Sequence, residues 1–86
     1  MSSPKTRQFV LDALERANAV GIRKHPKRGD FLAGIGDIGF DEIEMDSLAR
    51  MELGIAIEVS TGKEVAPEQL QDMKSLAGLA EFLENR

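Results

Sequence analysis

The chain has 86 residues, a net charge of −4 and no cysteine, which fits one small domain with a modest core and excludes a disulfide framework and a thiolate metal site. Its one histidine, His25, excludes a multi-histidine zinc site. Residues 1–36 hold seven Lys or Arg against three acids and residues 37–86 four against twelve, so the acidic half speaks against nucleic-acid binding and for a basic protein partner.

No apolar run approaches the length of a membrane span or follows the N-terminal cations as a signal peptide would, so a soluble, cytoplasmic, single domain over residues 1–86, without membrane insertion and monomeric, is expected. Ser3 and Pro4 suit an N-cap and first helical position, and Phe9, Val10, Ala13, Leu14 and Ala17 trace one apolar face. The first helix is expected to run to about Val20 and stop at Gly21. Residues 21–30, with two glycines, Pro26 and the basic residues Arg23, Lys24, His25, Lys27 and Arg28, break any period and read as a loop. That loop is either a docking patch for an acidic or phosphate-bearing group or a solvated connection. Arg28-Gly29-Asp30 spells an adhesion tripeptide by chance.

Gly34, Gly36 and Gly39 match G-x-G-x-x-G, but the dinucleotide fingerprint needs a buried strand before it and a helix opening on it, and neither is present. The glycines are expected to let the chain turn while Phe31, Leu32, Ile35, Ile38, Phe40 and Ile43 drop onto the helices.

The second helix is predicted from about Asp46 to Thr61, with Asp46 as N-cap and Gly62 as the left-handed stop. Leu48, Met51, Ile55 and Val59 recur at three- and four-residue spacing and read as its buried stripe, leaving Arg50, Glu52 and Glu58 on a mixed outer face. Pro67 opens a short third helix through Leu70 and Met73, and Ser75 caps a fourth carrying Leu76, Leu79, Ala80 and Leu83 to Arg86. The expected fold class is all-α: a four-helix bundle of three longer helices and one short third helix, with a long loop between the first two.

Ser47 falls in the first turn of the second helix, where unpaired N–H groups and the helix dipole favour a phosphate. On the local residues alone, Asp46 and Ser47 are an ordinary helix start. The run Met45-Asp46-Ser47-Leu48, followed by Glu52-Leu53 and Gly62, with Val65, Met73, Leu76 and Leu83 beyond it, resembles the acyl carrier protein family over most of residues 5–84. The resemblance implies that Ser47, flanked by Asp46 and Leu48, carries 4'-phosphopantetheine taken from coenzyme A by a phosphopantetheinyl transferase. It also implies that acyl groups ride on the arm as thioesters between acyl-loading and acyl-transferring enzymes. Those partners would grip Arg50, Met51, Glu52 and Glu58, and the tail would slip into a slot lined by Met51, Ile55, Val65, Leu70 and Met73.

The chain itself would catalyse nothing. A serine hydrolase would need a base near Ser47, yet the only histidine lies in the basic loop and G-x-S-x-G is missing around the serine. The chain departs from the pattern of fatty-acid carriers at Met45, where glycine is frequent, and at Ala49 and Arg50, where the helix is usually acidic. These departures favour a specialised lipid or secondary-metabolite pathway, with Arg50, expected to be exposed, tuning partner choice. An aminoacyl or peptidyl carrier and a non-enzymatic helical interaction module are the alternatives.

Overall fold

The computed structural model describes residues 3–17, 21–43 and 45–84. In chain order it contains α1 (Pro4–Arg16), α2 (Arg28–Ala33), a 3-10 turn (Phe40–Glu42), α3 (Ser47–Thr61), α4 (Pro67–Met73) and α5 (Leu76–Glu84). Among the described residues the fold is all-helical, as expected, with a short extra helix inside the long connection. The predicted continuation of α1 to Val20, and of α5 to Arg86, lies outside the described residues.

The caps form as the local residues dictate. Ser3 accepts the Thr6 N–H at 3.2 Å at the head of α1, and Asp46 accepts the Ala49 N–H at 2.8 Å at the head of α3. Gly62, with φ of 75°, ends α3 in the left-handed region that costs glycine little. The first helix pairs most extensively with the last, and α3 lies against both α1 and α4. Val10, Leu11, Leu14, Phe31, Ile38, Leu53, Ile57, Leu70, Leu76 and Leu79 form one continuous core.

The basic stretch is not a plain loop. It turns into α2 at Arg28, and Gly34, with φ of 82°, stops that helix. Arg7 fixes α2 from beneath: its side chain is buried, donates to the Phe31 carbonyl at 2.7 Å and lies 4.7 Å from the Phe31 ring centroid. A cation is well placed there, because the C-terminal carbonyls of a helix carry partial negative charge. Most of the loop's other cations are used internally. Arg23 and Arg28 both reach Glu15 at 3.1 Å, and Lys27 reaches Glu42 at 3.1 Å with His25 alongside at 3.6 Å. Of the residues expected to drop onto the helices, Phe31, Ile38, Phe40 and Ile43 are buried, whereas Ile35 is exposed because it lies just past the turn at Gly34.

Two distant segments are then stitched together. Phe40 N–H donates to the Lys74 carbonyl and Leu76 N–H to the Ile38 carbonyl, each at 2.9 Å. The Asp37 carboxylate also accepts the Ala77 N–H at 3.0 Å, and Ser75 Oγ accepts that of Gly78 at 3.2 Å. Three first-turn donors of α5, those of Leu76, Ala77 and Gly78, are therefore satisfied from outside its own backbone. This lashing holds the 3-10 turn against the α4–α5 junction, beside the N-terminal half of α3.

Candidate functional site

The predicted inner stripe of α3 faces outward. Leu48, Met51, Ile55 and Val59 are 56%, 48%, 53% and 81% exposed, and the buried face is Ala49, Leu53, Gly54 and Ile57. At 3.6 residues per turn the two stripes lie on opposite sides of the helix, and both are apolar, so periodicity alone could not choose between them. Contact geometry selects the second. A methyl group on Gly54 would lie 2.6 Å from the Val65 carbonyl oxygen, so only this side lets the segment leading into α4 approach α3 so closely. Leu48, Met51, Ile55 and Val59 thus join the outer face that sequence reasoning assigned to Arg50, Glu52 and Glu58.

Ser47 stands at the border of the two faces, exposed, as the first residue of α3. The Asp46 carboxylate is occupied with the Ala49 N–H at 2.8 Å, and the Asp46 carbonyl accepts the Arg50 N–H at 3.1 Å. Among the described residues no partner is bonded to the N–H groups of Ser47 or Leu48, which head the helix where partial positive charge gathers. These features fit a phosphodiester rooted on the serine: an exposed residue and, among the described residues, no side chain bonded to its hydroxyl and free donors beside it. Leu48 flanks the site on the outward side.

Below Ser47 the outer stripe runs the length of the helix between the half-buried Glu52 and the exposed Glu58. The residues of the expected tail slot differ in burial. Val65 and Leu70 are buried and Met73 half-buried against the core, whereas Met51 and Ile55 stand about half exposed. A cleft of about 290 Å³ is lined by Phe40, Asp41, Arg50, Leu70 and Lys74. Arg50 is half-buried at this cleft, not exposed on the outer face. Sequence reasoning did not bring Phe40, Asp41 and Lys74 together with Arg50 and Leu70. The one local signal was the helix break at Lys74.

Residues 33–83, more than half of the chain, match the family described as phosphopantetheine attachment site. The chain belongs to that family. Comparison with curated proteins and with solved structures returned no match. As a phosphopantetheine attachment domain it is a carrier whose cofactor is covalent 4'-phosphopantetheine, which supplies a thiol at the end of a flexible arm. Carriers of this family are generally not catalysts themselves, and they work with phosphopantetheinyl transferases and acyl-handling enzymes. No helix among the described residues is long and apolar enough to cross a membrane.

Proposed function

We propose that the chain is an acyl carrier protein that takes its arm on Ser47 and serves a specialised lipid or secondary-metabolite pathway. The observation that carries the assignment is the exposed Ser47 at the head of α3, beside backbone N–H groups with no partner among the described residues. In the loading reaction Ser47 Oγ bonds to the pantetheine-bearing phosphorus of coenzyme A and the bond to the adenosine bisphosphate breaks. The serine proton leaves to a base of the transferase. The histidine has no place in this chemistry: the His25 ring faces Glu42 at 3.6 Å and lies in the connection before α2.

Partner enzymes would dock on the outer face of α3. Leu48, Met51, Ile55 and Val59 offer an apolar spine, and Glu52 and Glu58 flank it, so basic partners are steered by charge and held by apolar contact. Arg50 and Lys74 beside the cleft favour a dedicated pathway over ordinary fatty-acid synthesis. With coenzyme A and a broad-specificity transferase, the intact mass should rise by one phosphopantetheinyl group, and Ser47→Ala should abolish the gain. Modification at another residue would remove the assignment of Ser47, and an unmodified chain with several transferases would remove the carrier reading.

A further inference from the structure

The cleft between α3, the end of α4 and the 3-10 turn has a composition that an ordinary hydrocarbon tail does not call for. Its floor is apolar, with Phe40 and Leu70 showing 8% and 2% of their surface. Its rim carries two cations, Arg50 and Lys74, against one carboxylate, Asp41. None of the three takes part in an ion pair among the described residues. A half-buried guanidinium is costly to cover with hydrocarbon, which would strip its water and return no acceptor. Its planar fork of donors suits a carboxylate.

The backbone at Lys74 points the same way. Lys74 ends α4 with φ of 62°, the one non-glycine residue in the left-handed region among those described, where glycine or asparagine is the usual choice. Its carbonyl is bound by the Phe40 N–H at 2.9 Å, so this strained residue and the floor of the cleft are one rigid unit. The turn thus sets Lys74 in the lining of the cleft with its charge beside that of Arg50.

We propose that this cleft holds an acyl cargo ending in a carboxylate, with its apolar stem over Phe40 and Leu70 and the carboxylate between Arg50 and Lys74. The proposal rests on the reading of Ser47 as the root of the arm, since Arg50 lies one turn from it on α3. It narrows that reading from acyl groups in general to anionic ones.

The test compares two thioesters of equal length, hexanoyl and adipoyl, on the arm-bearing chain, whose modification at Ser47 is first verified by mass. In the parent chain the adipoyl form should melt about 4–8 °C above the hexanoyl form, the shift that ~1 kcal/mol gives a domain of this size. The amide signals of Phe40, Leu70 and Lys74 should move with it. Arg50→Gln should reverse the order, because the carboxylate then enters the cleft without its fork. Lys74→Asn, which keeps the left-handed turn and removes the charge, should shrink the difference.

An adipoyl form no more stable than the hexanoyl form overturns the proposal. So does an equal, Arg50-dependent rise in the free-thiol form, which would assign the cations to the arm's own phosphodiester. If Ser47 takes no arm, the unmodified chain is titrated with soluble adipoyl- and hexanoyl-pantetheine. Shifts at Phe40, Leu70 and Lys74 given by adipoyl alone, and lost in Arg50→Gln, support the cleft as a site in its own right, and their absence refutes it.

Discussion

Ile55 and Ile57 are two positions apart on α3, yet Ile55 is 53% exposed and Ile57 is fully buried. Identical side chains therefore have different consequences. Ile57→Ala should cost about 2–5 kcal/mol in urea unfolding, the usual range for emptying a packed aliphatic site. Ile55→Ala should stay within ~0.5 kcal/mol while lowering turnover with an acyl-handling partner enzyme. Equal losses of stability would show that the outer stripe is packed, and undiminished turnover would take Ile55 out of the docking face. The sequence reading placed Ile55 in the buried stripe and left Ile57 out of it, because α3 is apolar on both sides and the choice is made by Gly54 meeting the Val65 backbone. Ser47 and Asp46 were legible, since a cap and the residue after it are defined within one helical turn. Phe40 and Lys74 were not, since no local rule brings residues so far apart in the chain to one cleft.

At the scale of elements, the helices whose ends are set by their own residues were the readable ones: Ser3 and Pro4 start α1, Asp46 starts α3, Gly62 stops it and Pro67 starts α4. The extra helix α2 was hidden because its sequence, Arg-Gly-Asp-Phe-Leu-Ala, is short, carries a glycine in its first turn and is held by Arg7 reaching across from α1. The start of α5 depends similarly on a distant group. Asp37 accepts the N–H groups of Ile38 at 2.7 Å and Ala77 at 3.0 Å. Removing this acceptor by Asp37→Ala should cost ~0.5–2 kcal/mol, as for a lost N-cap, and should raise hydrogen exchange in the first turn of α5. Asp37→Asn, which keeps an accepting oxygen, should restore most of it. Faster exchange spread evenly over the molecule would mean that the bond is incidental to α5.

Over the whole molecule, two surface carboxylates among the described residues are held below their ordinary pKa. Glu42 has its pKa lowered from 4.5, first by the Gly39 N–H and next by Lys27, and Glu84 is lowered from 4.5 by the Ser3 N–H and then the Thr6 hydroxyl. A carboxylate depressed in the folded state adds stability above its unfolded value, and that contribution is lost as pH falls through the folded one. The thermal midpoint should therefore decline as pH drops below about 4.5, the unfolded reference, and Glu42→Gln with Glu84→Gln should flatten that decline. A slope unchanged in the double variant would place the acid response in other groups. The segregation of charge along the chain was visible in composition, but its use was not: cations of the basic half are drawn onto Glu15 and Glu42 instead of standing together as a patch.

Glu84 does more than respond to acid. It receives the Ser3 N–H and the Thr6 hydroxyl, both at 2.7 Å, so the last turn of α5 grips the first turn of α1 directly. A pull exerted between residues 3 and 84 would be borne first by these bonds and the α1–α5 seam, the shortest mechanical path between its two points of application. Until that seam parts, α3 and Ser47 lie outside the line of tension.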